Sequence, residues 1–156
     1  MRYLIGAGTY AASDDGIGLR VVDYIVENGL EEGFRAVGLA SGGLGLLTYL
    51  DRNTEEILLV DCAKFGGAPG EHLFFKPEDV RTRKDLAGLS THETDALRVL
   101  DLVRGLGYAI PPVTILAIEP ETVRPGIGLS ETLALRLPAY VEAALSHFRG
   151  ALPATG

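Results

Sequence analysis

Short apolar runs alternate along this chain with segments in which apolar residues recur at helical spacing. The runs are bounded by glycine, proline or charged residues, which is typical of buried strands. The segments between them place apolar residues three or four positions apart, as the buried face of a helix requires. The pattern predicts strands at residues 2–8, 34–39, 56–61, 72–75 and 113–118, and helices at 16–28, 44–50, 91–106 and 130–148.

Strands that alternate with helices indicate a mostly parallel sheet with helices on both faces. The third strand is apolar up to Asp61, so we expect it in the centre of the sheet, covered on both sides. The strand at 72–75 follows it without an intervening helix and is expected to run antiparallel at an edge. We therefore predict a three-layer α/β domain over residues 1–150, with a five-stranded twisted sheet of order 2-1-3-5-4 and a disordered tail at 151–156.

Composition and charge exclude several classes of protein. The 156 residues fit one domain, and 47% hydrophobic residues suffice for a core. No apolar run approaches the roughly 20 residues that cross a bilayer, and the first residues do not resemble a secretory signal, so we expect a cytoplasmic protein without membrane contact. A net charge of -7 argues against nucleic-acid binding. The single cysteine, Cys62, excludes an internal disulfide and is interpreted as a small core residue.

The loop after the first strand has a glycine pattern that dinucleotide-binding proteins share. The segment Gly6-Ala7-Gly8-Thr9-Tyr10-Ala11 fits the loose form GxGxx(G/A). However, Asp14 and Asp15 stand where the next helix begins, and two carboxylates there would repel a pyrophosphate. The second strand also lacks a following acid to hold ribose. A tight turn accounts for the glycines, so nucleotide binding stays an alternative.

Three polar side chains are candidate ligands for a metal ion. Asp15 follows the first strand and Asp61 ends the third, and ligands bind beyond the carboxyl ends of parallel strands. His92 lies at the start of a helix that must pack on the same sheet. Two carboxylates and one imidazole suit a divalent ion such as nickel or zinc.

Each of these residues also has a purely structural interpretation. Asp14 or Asp15 would cap the first helix, and we assign that role to Asp14. Asp61 would accept amides from a neighbouring loop, and His92 would be structural or exposed. The remaining histidines, His72 and His147, are interpreted as structural or solvated.

Five separated segments follow one another along the chain: Gly6-Ala7-Gly8 with Ser13-Asp14-Asp15-Gly16-Ile17-Gly18, Leu59-Val60-Asp61, Pro69-Gly70, Ser90-Thr91-His92, and Ile118-Glu119-Pro120 with Gly128-Leu129-Ser130. In this order, over roughly residues 1–148, they resemble the motifs of the hydrogenase maturation proteases. Members of this family are endopeptidases that trim the C-terminal tail of the large subunit of nickel–iron hydrogenases after nickel insertion.

The resemblance implies that Asp15, Asp61 and His92 form the catalytic and metal-contacting site. Nickel would arrive with the precursor of the hydrogenase large subunit, and no organic cofactor is expected. The metal would serve as a recognition signal, polarise a carbonyl or activate water. We expect a monomer. Two alternatives stay open: a chaperone or binding module that senses metal occupancy without cutting, and a protease of the same fold, such as a spore germination protease relative, whose client has no nickel.

Overall fold

The computed structural model describes residues 1–39, 43–81 and 91–150, with the backbone alone for residues 43, 44, 80, 81 and 91–97. The strands are β1 (Arg2–Ala7), β2 (Arg35–Leu39), β3 (Glu56–Cys62), β4 (His72–Phe75) and β5 (Val113–Ile118). The α-helices are α1 (Ile17–Glu27), α2 (Pro77–Arg81), α3 (Thr91–Gly105) and α4 (Glu131–Gly150), and two 3₁₀ helices are η1 (Ser13–Gly16) and η2 (Gly43–Tyr49).

The strands form one sheet in the order β2-β1-β3-β5-β4, as the sequence predicts. β1, β2, β3 and β5 are parallel, and β4 runs antiparallel to β5 at the edge, with His72 opposite Ile118. Ile5 in β1 and Leu59 in β3 are paired, which aligns the carboxyl ends of these two neighbouring strands. The loops that follow these strands therefore emerge side by side.

Each face of the sheet has its own hydrophobic core. Leu58 and Val60 of β3 pack with α1 and α4 on one face, because successive side chains of a strand point to opposite sides. Ile57 and Leu59 pack on the other face with residues of η2 and α3. The three-layer α/β architecture is thus confirmed. No helix of the described ranges is both long enough and apolar enough to span a membrane.

Helix α1 begins in direct contact with β1 and β3. A Cβ atom on Gly18 would lie 2.3 Å from the carbonyl oxygen of Val60 and 2.5 Å from that of Ala7. A Cβ on Gly6 would lie 2.1 Å from the oxygen of Gly18. Only glycine permits this approach, which brings the loop before α1 against the end of β3.

Apart from shifts of one or two residues at the ends of elements, the structure differs from the prediction in three places. The helix expected from residue 16 is preceded by η1, because the chain turns sharply at Ser13, whose φ is 55°. The segment expected as a helix at 44–50 is the 3₁₀ helix η2. The segment 76–90, for which the sequence pattern predicts neither a strand nor a helix, contains the short helix α2, and its residues 82–90 lie outside the described chain.

Candidate functional site

Both candidate carboxylates lie where strands reach their carboxyl ends. Asp15 belongs to η1, which follows β1, and is 7% exposed. Asp61 is the second-last residue of β3 and fully buried, and its Oδ1 accepts a hydrogen bond from the amide of Cys62 at 2.8 Å. Because β1 and β3 are neighbours and η1 packs against β3, the two acids lie at the same end of the sheet, where the parallel strands have their carboxyl ends.

Asp61 lies on the face of the sheet that α3 covers. Ile57 and Leu59 contact the core beneath η2 and α3, and the two-residue period of the strand puts Asp61 on the same side. In α3, the contact to this core is made by Leu100. The element that carries His92 is therefore packed on the side where Asp61 lies.

The last turn of α3 is located by contacts of Arg104. Arg104, in the last turn, has a guanidinium nitrogen 3.9 Å from a carboxylate oxygen of Glu78. Both side chains line a cavity together with Val113, the first residue of β5. The helix thus ends near the amino end of β5, and its 15 residues extend about 22 Å away from that point.

The third member of the predicted trio is placed by its backbone only. His92 is the second residue of α3, and its side chain lies outside the described part of the structure. Among the side chains that are described, no three of His, Cys, Asp and Glu are grouped so that they could hold a metal ion. The convergence of Asp15, Asp61 and His92 on one ion stays a prediction.

Asp14 has a different role from the one its position in the sequence suggests. The N-cap of α1 is Gly16, without a side-chain hydrogen bond, so the interpretation of Asp14 as the cap of α1 is wrong. Its fully buried carboxylate instead accepts hydrogen bonds from the β5–α4 loop, residues 119–130. The donors are the amides of Glu121 (3.0 Å), Thr122 (2.9 Å) and Ser130 (2.7 Å) and the hydroxyl of Ser130 (2.8 Å).

A second buried acid, Glu119, holds the turn between β3 and β4. Its Oε1 accepts hydrogen bonds from the amides of Phe65 at 2.9 Å and Gly67 at 3.0 Å. Its backbone oxygen accepts the amide of Gly70 at 2.8 Å. We did not single out Glu119 as a functional residue from the sequence, although it directly follows a buried strand, the same signal that pointed to Asp61.

Tyr140 of α4 contributes a further hydrogen bond to the same turn. It is fully buried, and its hydroxyl donates a hydrogen bond to the carbonyl oxygen of Gly70 at 2.6 Å. Burial raises the pKa of Tyr140 to about 12; the charge of Arg136 opposes this increase and that of Asp14 adds to it. The phenol thus keeps its proton, and with it the hydrogen bond, far into the alkaline range.

The other candidate side chains are structural. Cys62 is buried, as predicted, and His72 is exposed on β4. His147 has its Nε2 3.0 Å from Oε1 of Glu56, at the opposite end of the sheet from Asp61. A Cβ on Gly8 would lie 2.1 Å from the oxygen of Asp15, so close packing against η1 is sufficient to explain this glycine.

The protein has a three-layer α/β fold with buried acids at or just beyond the carboxyl ends of β1, β3 and β5. The family model for HycI, hydrogenase maturation protease, matches residues 19–147. The match includes Asp61 and His92 and begins just after Asp15 and Gly18. The chain therefore belongs to the hydrogenase maturation proteases, a family of endopeptidases.

Similar proteins agree with this assignment. The hydrogenase 2 maturation protease of Escherichia coli (strain K12) is 27% identical over 163 residues, covering 100% of this chain and 93% of that protein. The hydrogenase expression/formation protein HupD of Rhodobacter capsulatus is 26% identical over 118 residues, 75% of this chain, and the match spans just over half of that protein, 56%.

Solved structures show the same fold. The hydrogenase maturating endopeptidase HybD from E. coli superposes with a TM-score of 0.81 at 22% identity, over 97% of this chain and 93% of that one. The [NiFe] hydrogenase maturation protease HybD from Thermococcus kodakarensis gives a TM-score of 0.74 at 22% identity, over 93% and 97% of the two chains.

Proposed function

We propose that this protein removes the C-terminal extension of a nickel–iron hydrogenase large-subunit precursor after nickel insertion, and that Asp15, Asp61 and His92 contact the nickel held by the precursor. The observation that carries this proposal is the placement of Asp15 and Asp61 at the adjoining ends of β1 and β3 in a member of this family. In this proposal His92, in the first turn of α3, completes the donor set.

The donor set is chemically suited to this role. Carboxylate oxygens and an imidazole nitrogen are ligands that nickel accepts, and two or three of them leave coordination positions for groups of the precursor. In this proposal nickel is part of the substrate, and this protein distinguishes nickel-loaded from nickel-free precursor by contacting the ion. Contact with the ion would also hold the precursor in the orientation needed for cleavage.

The reaction is the hydrolysis of one peptide bond. Water adds to the carbonyl carbon, the C–N bond breaks, and a proton passes to the leaving nitrogen. The mature subunit gains a new carboxyl terminus, and the released peptide gains an amino terminus. In this proposal a carboxylate of the site or the nickel ion assists the attack of water.

A cleavage assay with purified components and mass spectrometry tests the proposal. Nickel-loaded precursor should be cut once near its C-terminus, and nickel-free precursor should stay intact. Asp61→Ala and His92→Ala should abolish cutting while the far-ultraviolet circular dichroism stays that of the wild type. Glu142→Gln, an exposed acid of α4, is the control that should cut normally.

Two results would contradict specific parts of this proposal. Rapid cutting of nickel-free precursor would reject nickel as the signal and favour a protease with a different client. Tight binding of nickel-loaded precursor without any cutting would instead support the alternative of an occupancy-sensing chaperone. Normal cutting by both the Asp61 and the His92 variants would remove the proposed site.

A further inference from the structure

The short helix that carries Asp15 is held from both sides by the rest of the chain. On one side, the amide of Thr9 donates to the oxygen of Asp15 at 3.3 Å, and Gly8 packs against the same oxygen. On the other side, the β5–α4 loop is bound to η1 by the carboxylate of Asp14 and by Ser13, whose amide and hydroxyl donate to the oxygens of Gly126 and Arg124. η1 has no freedom to rotate without breaking these bonds.

The side chain of Asp14 determines how η1 is oriented about its axis. Its two carboxylate oxygens accept four hydrogen bonds from three residues of the loop, so its direction is fixed. Successive residues of a 3₁₀ helix are about 120° apart. Fixing the direction of Asp14 therefore also fixes the direction in which Asp15 leaves the helix.

We propose that Asp14 is a positioning residue: its buried carboxylate locks the β5–α4 loop onto η1 and thereby aims the carboxylate of Asp15 at the precursor's nickel. This inference rests on the proposed function, because it gives Asp14 its importance through Asp15. Asp14 does not touch the substrate. Its contribution is to keep Asp15 in the geometry needed for cleavage before the precursor arrives.

The substitution Asp14→Asn tests this because an amide cannot replace a carboxylate here. Oδ2 accepts three of the hydrogen bonds and Oδ1 accepts the fourth, so both oxygens face donors. Either orientation of an asparagine amide would point its NH2 group at an N–H or O–H group. The loop must then shift, and η1 with it.

The experiment measures kcat and KM for nickel-loaded precursor with wild type, Asp14→Asn and the control Asp23→Asn. Asp23 lies on α1, and its carboxylate accepts the Tyr10 hydroxyl at 2.6 Å, a bond that an amide oxygen also accepts. Because displacement of a catalytic group by about 1 Å costs on the order of 100-fold, Asp14→Asn should lose about that much in kcat, with KM within threefold of wild type. Asp23→Asn should match wild type in both.

A merely structural role predicts a different result. Asp14→Asn would then lower the melting temperature but leave kcat unchanged when measured well below that temperature, and this outcome overturns the inference. If Asp14→Asn does not fold, Ser130→Ala decides, since it removes one donor to Asp14: a drop in kcat of about threefold to tenfold is expected, and an unchanged kcat overturns the inference. An inactive wild type would contradict the proposed function itself.

Discussion

The charged groups at the two ends of the sheet differ in burial and in the partners they contact. At the carboxyl end lie the four buried acids of the described chain, and Asp14, Asp61 and Glu119 all accept hydrogen bonds from backbone amides. At the amino end, acids pair with cations near the surface. The amino group of Met1 lies 3.1 Å from Glu55, and both partners are largely exposed.

This contrast distinguishes an organised polar site, whose hydrogen-bond donors come from several loops, from an ordinary protein surface. Burying a carboxylate is costly unless donors are already in place, so the carboxyl end must be assembled from several loops at once. Exposed pairs need no such arrangement and contribute little to stability. We therefore expect substitutions at the carboxyl end to affect both stability and processing, and substitutions at the amino end to affect neither strongly.

The largest effect is expected for Gly18→Ala, which would separate α1 from the carboxyl ends of β1 and β3. The new methyl group would meet the backbone oxygens of Val60 and Ala7 at 2.3 and 2.5 Å, and neither can move without disturbing the sheet. We expect a loss of about 3 kcal/mol or more in the free energy of unfolding, measured in urea. Processing should fall as well, because η1 is displaced.

The matched control is Gly105→Ala, at the end of α3, where an added Cβ meets nothing within 4 Å. This variant should be as stable as wild type or gain up to about 1 kcal/mol, as alanine usually does in a helix. If the two alanine variants had equal stability, the close approach of α1 to the strand ends would not be important for the fold.

Some features of the fold and of the carboxyl end could be predicted from the sequence, and others could not. The type of most elements and the antiparallel edge strand were predictable, because apolar runs and the missing helix before β4 are local patterns. The role of Asp14 was not predictable, since its hydrogen-bond partners are 107, 108 and 116 positions away in the chain. Glu119 was recognisable in principle, because an acid that ends an apolar strand must find donors wherever the next loop brings them.

The second prediction concerns Glu119 and the turn between β3 and β4. Glu119→Ala leaves the amides of Phe65 and Gly67 without their acceptor and should cost about 2–3 kcal/mol in urea unfolding. Glu119→Gln should cost less, about 1 kcal/mol, because one amide oxygen can accept both bonds that Oε1 now accepts. Equal losses for the two variants would mean that the charge, and not the acceptor, holds the turn.

The third prediction is a pH effect at Tyr140. Its pKa is raised in the folded state from about 10 to about 12, so its protonated form favours folding. This contribution is complete below pH 10 and is lost as the pH rises through 12. Tyr140→Phe should lower the free energy of unfolding by about 1–2 kcal/mol at pH 8, since the buried oxygen of Gly70 loses its donor.

The same variant should lose less stability than wild type between pH 10 and pH 12, because the titrating phenol is gone. The difference between the two unfolding curves isolates Tyr140 from the other groups that titrate in this range. A constant difference from pH 8 to pH 12 would contradict the raised pKa, and no difference at any pH would show that the hydrogen bond to Gly70 has no net effect.

The smallest effect is expected at the amino end, in the pair of His147 and Glu56. The Nε2–Oε1 distance is 3.0 Å, but both side chains are about a fifth exposed, 22% and 20%, so solvent screens their interaction. Glu56→Gln should change the free energy of unfolding by less than about 1 kcal/mol and leave processing unchanged. A double-mutant cycle with His147→Gln, which measures the coupling of the two side chains apart from their other contacts, should give a similarly small value. A coupling above about 2 kcal/mol, or slower processing in either variant, would show that the amino end also contains an organised polar site, and the contrast between the two ends of the sheet would no longer hold.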